Sequence, residues 1–207
     1  MNLTKRRDAL KKVYAPVGIA LYRLHLPPNF ITLLSVAFGM ASAYAFYHGK
    51  LLTGASLLFL SGLFDLADGM VARLSEKASK FGAVFDWLAD KWVDGFVLGT
   101  VGYFYAGPFT AITVVTASML HSFIKPVVYA EIGYEERTAG KIKDPLEGIG
   151  FFGRPETHLT LIAFTILERL QAPVGLEFGI KLIALLTLAS LLLRIIYLYK
   201  HYGREYE

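Results

Sequence analysis

Apolar residues run in long blocks along this chain, and the charged residues between the blocks follow a pattern. Ile31–His48 carries no Asp, Glu, Lys or Arg, Leu51–Phe64 is uncharged as far as Asp65, and Gly95–Ile124 is uncharged for 30 residues. A helix that crosses a bilayer needs about 20 consecutive, mostly apolar residues. The first block nearly meets this by itself. The next two meet it if their helices reach into charged positions, over roughly Leu51–Arg73 with Asp65 and Asp68, and roughly Gly82–Ala106 with Asp86, Asp90 and Asp94. Ala106-Gly107-Pro108 interrupts the longest block, because Gly and Pro punctuate helices. Further spans are expected over about Pro108–Tyr129, Pro155–Leu170 and Gly179–Tyr199. The pattern predicts an all-α integral membrane protein with six transmembrane helices. Ahead of them, Leu10, Val13, Tyr14, Val17 and Leu21 recur at helical spacing among Lys5, Arg6, Arg7, Lys11, Lys12 and Arg23. That periodicity predicts an N-terminal amphipathic helix on the membrane surface. Too few apolar residues precede the basic ones for a signal peptide. The expected organisation is a juxtamembrane helix over 1–26 and a transmembrane domain over 27–207.

Composition agrees with this reading. Of the 207 residues 55% are hydrophobic and 18% charged, against about 25% charged in soluble domains. Mean hydropathy is +0.47. There is no cysteine, which excludes disulfides, thiolate nucleophiles and Cys-ligated metals. The formal net charge of +4 is too small to point to nucleic acid. The distribution of charge carries more information. With the N-terminus in the cytoplasm, sixteen of the 21 Lys and Arg fall on the cytoplasmic side, Lys50, Arg169 and Lys181 fall outside, and Lys91 and Arg194 fall within spans. That bias predicts a multi-pass protein of the cell membrane with both termini cytoplasmic.

The same orientation brings Asp65 and Asp68 to the cytoplasmic end of the second span, and Asp86 and Asp90 to the cytoplasmic start of the third. Asp65, Asp68 and Ala72 stand at i, i+3 and i+7, and Gly82, Asp86 and Asp90 at i, i+4 and i+8, so each set shares one helix face. Asp94 extends the second stripe by a turn and is within reach of Lys91 or of the site itself. A carboxylate at the centre of a spanning helix costs roughly 2.5–3.5 kcal/mol on insertion scales. Four such groups have to face inward and be neutralised. Arg73 and Lys91 can offset part of the charge. Oxygen-only ligation favours Mg²⁺, Mn²⁺ or Ca²⁺, and Mg²⁺ sites usually share ligands with substrate phosphates. Gly69, Ala72 and Gly82 leave room for a ligand or a second backbone.

Asp65-x2-Asp68-Gly69-x2-Ala72-Arg73-x8-Gly82-x3-Asp86-x3-Asp90 resembles the signature of the CDP-alcohol phosphatidyltransferase family at every defined position. Pro28-Asn29-Phe30-Ile31-Thr32 looks like an element that precedes the first span in many members. The resemblance covers roughly 28–154. It implies a six-helix homodimer that transfers a lipid-phosphate group from a CDP-activated lipid to the hydroxyl of a polar alcohol, with release of CMP. It implies that Asp65, Asp68 and Asp86, with Asp90 at their edge, hold one or two Mg²⁺ or Mn²⁺ ions. Asp90 is the implied general base. Gly69, Ala72, Gly82 and Arg73 are implied at the CDP moiety, with Asp68, Asn29 and Thr32 beside it.

The acceptor is read from Lys125–Arg154, which carries Lys125, Arg137, Lys141, Lys143 and Arg154. The positive-inside bias accounts for such a stretch as well as a phosphate pocket does. Ile124-Lys125 and Arg154-Pro155-Glu156 resemble elements flanking the phosphate pocket in the branch of the family that uses inositol phosphate, although Val127 stands where that branch usually has a basic residue. Lys125 and Arg154 are therefore the expected acceptor-phosphate contacts. Inositol phosphate is the expected acceptor, with glycerol phosphate as the alternative, and the donor lipid is built on diacylglycerol or archaeol. Two other classes of protein bury acids in membranes. A cation- or proton-coupled transporter would line a path with them, whereas these cluster at one end. A membrane prenyltransferase usually has two separated Asp motifs and more spans.

Overall fold

The computed structural model describes residues 7–132, 137–138, 141–142, 146 and 148–203, and side chains from residue 14 onward outside the 133–145 stretch. Lys5, Arg6, Lys143 and Arg204 lie outside the described residues. So do the side chains of Leu10, Lys11, Lys12, Val13, Arg137 and Lys141.

Seven α-helices make up the described chain: α1 Arg7–Arg23, α2 Pro28–Tyr47, α3 Leu51–Leu74, α4 Lys80–Ala106, α5 Pro108–Glu131, α6 Arg154–Arg169 and α7 Leu176–Tyr202. Helix boundaries follow local chemistry. Pro28 and Pro108 open α2 and α5 where a missing N–H costs nothing. The Ser79 hydroxyl caps α4 by accepting from the Gly82 N–H at 2.9 Å. Gly107, at φ +91°, makes the tight reversal between α4 and α5. There α4 and α5 meet so closely that a Cβ on Gly102 would lie 2.7 Å from the Ala111 Cα. Among the described residues, the departure from helix is a two-residue antiparallel ladder, Arg137–Thr138 against Lys141–Ile142.

Helix α2 packs along α3 and α4, α4 along α5 and α7, and α6 against α3 and α7. One apolar core joins them through Phe46, Leu58, Val93, Val97, Val114, Leu161 and Ile180. Polar side chains register the α2–α3 seam. Ser35 donates to the Ser61 carbonyl at 2.9 Å, Ser61 returns a bond to the Ser35 carbonyl at 2.8 Å, and Ser42 donates to the Gly54 carbonyl at 2.7 Å. Helix α1 packs on α3, with Leu21 buried against Ile31, Ala67 and Val71. The outer surface is strongly apolar, with Tyr44, Phe109, Ile112, Leu185 and Tyr199 all exposed.

Four helices, α2, α3, α5 and α7, are long and apolar enough to cross a membrane by length and composition. The chain is thus a helical membrane protein. Helix α4 falls outside that group because Lys80, Asp86, Asp90, Lys91 and Asp94 interrupt its first half. Helix α6 has 16 residues, about 24 Å at 1.5 Å per residue, short of a hydrocarbon core about 30 Å thick.

Candidate active site

Helices α3 and α4, which both pack on α2, fold the acidic motif onto itself. The turn between Leu74 and Lys80 sets the C-terminal third of α3 beside the first turns of α4. Asp65 of α3 and Asp86 and Asp90 of α4 then offer oxygens that all lie within 4.8 Å of one another. Three carboxylates at that separation are an all-oxygen donor set suited to a hard divalent cation.

The fourth acid of the motif, Asp68, has a partner of its own outside the triad. Asp68 is buried and accepts a hydrogen bond of 2.5 Å from the Thr32 hydroxyl of α2. Thr32 and Asp68 therefore act as a pair in this structure. Asn29, one turn earlier, faces Gly82 of α4. A Cβ on Gly82 would stand 3.3 Å from Asn29 Oδ1 and 3.1 Å from Ser79 Oγ, so hydrogen at this position keeps the gap between the two helix N-termini open. Gly69 and Ala72 line the same side of α3 and are half-buried. Arg73 is exposed, with its Nη1 3.4 Å from where a Cβ on Gly69 would be.

The cation that reaches the acids is Arg154. Its Nη1 lies 2.7 Å from Asp65 Oδ2 and 2.6 Å from Asp90 Oδ1, and its Nε lies 3.1 Å from Asp94 Oδ1. Arg154 is the first residue of α6, directly after Gly153, whose N–H donates to Glu156 Oε2 at 3.0 Å and so caps the helix. The packing of α6 on α3 brings Arg154 to Asp65 across 89 residues of sequence. The α4–Arg154 contact with Asp90 is an ion pair without hydrogen-bond alignment. Both Asp90 Oδ1 and Arg154 Nη2 are buried atoms with no hydrogen-bond partner among the described residues.

Asp94 organises a second layer one turn along α4. It is 2% exposed, and such burial is tolerable for a carboxylate only when it is fully paired. Lys91 Nζ is 2.8 Å from its Oδ2, and His158 Nε2 donates to its Oδ1 at 3.0 Å. Asp94 pairs with Lys91 as the sequence suggested, and it also contacts Arg154. His158 went unread in the sequence. A lone histidine in an apolar helix has no visible partner until the fold supplies one, and the only available hint was its spacing of four from Arg154. Lys125 is half-buried on α5 and makes interactions of its own.

Residues 25–202 match the family model described as CDP-alcohol phosphatidyltransferase. An archaetidylinositol phosphate synthase from Methanothermobacter thermautotrophicus is 25% identical over 199 residues, covering 96% of this chain and 94% of that protein. A phosphatidylinositol phosphate synthase from Mycobacterium tuberculosis is 35% identical over 92 residues, 44% of this chain and 42% of the relative. Among solved structures, the Mycobacterium tuberculosis phosphatidylinositol phosphate synthase with CDP-DAG bound superposes with a TM-score of 0.74 at 24% identity, covering 95% of this chain and 98% of that one. The same enzyme in complex with manganese and citrate gives a TM-score of 0.73 at 24% identity, with coverage of 93% and 91%.

Proposed function

Because the chain belongs to the CDP-alcohol phosphatidyltransferase family, we propose that it transfers the phosphatidyl or archaetidyl group of a CDP-activated lipid to a hydroxyl of inositol phosphate, releasing CMP. The observation that carries this reading is the meeting of Asp65, Asp86 and Asp90 within 4.8 Å at one end of the α3–α4 pair. The nearly full-length similarity to an archaetidylinositol phosphate synthase supports the choice of acceptor. The CDP-DAG complex of a protein of the same fold supports the choice of donor.

Asp65 and Asp86, with Asp90 at their edge and Asp68 within the same motif, fit a divalent cation, for which we propose Mg²⁺ or Mn²⁺. The manganese complex of the similar structure supports this. Such an ion would neutralise charge on the pyrophosphate and on the departing CMP oxygen. The rest of the chemistry falls to the chain. Asp90 takes the proton from the acceptor hydroxyl. The resulting alkoxide attacks the lipid-bearing phosphorus in line, and the bond to the CMP oxygen breaks. Asn29, Thr32, Gly69, Ala72 and Gly82 form the cleft we assign to the CDP moiety, with Thr32 holding Asp68 in its rotamer. Arg73 at the mouth of that cleft contacts the diphosphate. Lys125 and Arg154 bind the acceptor phosphate.

We extend the proposal to topology. Helices α2 to α7 are the six spans and α1 lies on the cytoplasmic surface, with both termini and the acidic site on that side. Residues 27–207 form the transmembrane domain in this reading. A second copy docks on the exposed face of α4, where Trp92, Phe96 and Tyr103 border a groove of about 690 Å³ floored by Gly95 and Gly99.

The test is incubation of purified protein with CDP-archaeol or CDP-diacylglycerol and a panel of alcohols and alcohol phosphates, reading CMP release and product mass. The expected product carries inositol phosphate. Turnover with unphosphorylated alcohols alone would overturn the acceptor assignment, and absence of CMP with every acceptor would overturn the reaction.

A further inference from the structure

The position of Arg154 deepens the reading above and rests on its assignment of the acidic triad to a divalent cation. Nη1 of Arg154 lies within 2.7 Å of both Asp65 and Asp90, two of the three carboxylates that would ligate the ion. A Mg²⁺ ion sits about 2.0–2.1 Å from its oxygens. A guanidinium nitrogen and such an ion compete for the same two carboxylates and repel each other at that range. Arg154 is tied elsewhere as well. Nε bonds to Asp94, which His158 and Lys91 fix from the other side. Nη2 is buried and has no acceptor among the described residues. A buried, unpaired guanidinium N–H is costly, and a phosphate oxygen is a ligand that would satisfy it.

We propose that Arg154 is an internal counter-ion of the triad, displaced when a divalent cation binds and thereby released to the acceptor phosphate, with Asp94 as the anchor that retains it at the site. Cation binding and acceptor binding are then positively coupled through one side chain. The same displacement frees Asp90, the base, from its ion pair. His158 and Lys91 are positioning residues in this scheme, since they hold the carboxylate of Asp94 rather than any substrate.

The experiment is Mn²⁺ titration of the purified full chain without substrates, followed by electron paramagnetic resonance of the free ion, with thermal melting as a check on folding. Arg154→Gln is expected to tighten Mn²⁺ binding roughly 10- to 100-fold, the equivalent of losing a charge-assisted contact to the carboxylates. Lys91→Gln removes the same charge without vacating the triad and is expected to change binding far less. Asp94→Asn is expected to weaken binding in the wild-type background, because Arg154 loses its hold outside the triad, and to have no effect when added to Arg154→Gln. That double-mutant comparison separates an effect acting through Arg154 from simple loss of a negative charge. Equal tightening by Arg154→Gln and Lys91→Gln would overturn the proposal, and so would an undiminished Asp94→Asn effect in the double variant. Asp65→Asn reports on the underlying reading. If it binds Mn²⁺ as the wild type does, the triad is not the cation site, whatever Arg154 does.

Discussion

Asp90→Asn separates proton transfer from cation binding at the heart of the site. Asp90 lies on α4 with its Oδ1 buried, 2.6 Å from Arg154 and grouped with Asp65 and Asp86. Asparagine has the same shape and keeps one acceptor oxygen, so α4 packing and the Arg154 contact survive, while the amide cannot take a proton. General-base catalysis is worth about 10²–10⁴-fold, which at about 1.36 kcal/mol per tenfold raises the barrier by about 3–5 kcal/mol. The assay is CMP release at saturating donor and acceptor, paired with donor affinity measured with and without Mg²⁺. The expected result is a turnover loss of that order with metal-dependent donor binding retained. Asp65→Asn, by contrast, should lose metal-dependent donor binding. Near wild-type turnover in Asp90→Asn would refute the base assignment. A loss of donor binding as complete as that of Asp65→Asn would make Asp90 a ligand and nothing more.

Three further outcomes are expected. Excess chelator should abolish CMP release, and added Mg²⁺ or Mn²⁺ should restore it; full activity in chelator would contradict a catalytic cation at the triad. Lys125→Ala should raise the acceptor KM roughly 10- to 150-fold, the cost of a charge-assisted hydrogen bond, and leave the donor KM unchanged, as steady-state kinetics with each substrate varied will show. Gly39→Ala would bring a Cβ to 2.5 and 2.6 Å from the two Val93 methyls across the α2–α4 contact; overpacking of this kind costs about 1–3 kcal/mol, so thermal melting in detergent should fall and Val93→Ala should restore it.

The helices were legible in the sequence because hydropathy and Gly-Pro punctuation are local properties. The breaks at Gly107-Pro108 and Gly153-Arg154-Pro155 coincide with helix starts at Pro108 and Arg154. The acidic group was legible for a related reason. Eight residues separate Arg73 from Gly82, enough for a turn, so the two stripes had to face each other. What the sequence could not reveal depends on contacts between distant elements. Arg154 was visible as a cation near the site, but its partners were not, because Asp65 and Asp90 meet it only through the packing of α6 on α3. Arg73, expected to offset the acids from within the motif, is exposed and lies beside Gly69. Asp68 looked equivalent to Asp65 by spacing, and only the fold supplies its hydrogen bond from Thr32 of α2. His158 and the Ser35–Ser61 pair carry no sequence signal, because a polar residue in an apolar helix does not name its partner.

The serine seam between α2 and α3 bears on how the protein meets bilayers of different thickness. A helix pair joined by apolar side chains alone can slide to match the hydrocarbon depth. Here Ser35, Ser42 and Ser61 each bond to a carbonyl on the opposite helix. A slip of one turn, about 5.4 Å, would break all three bonds between the helices and leave the hydroxyls only the carbonyls of their own helix. The Thr32–Asp68 bond lies along the same seam, so the slip would also tear open the floor of the catalytic cleft. A thinner or thicker membrane must therefore be accommodated by tilting the bundle as a unit or by deforming the surrounding lipid. The register of α2 against α3, and with it the Thr32–Asp68 contact, is then independent of the membrane around them.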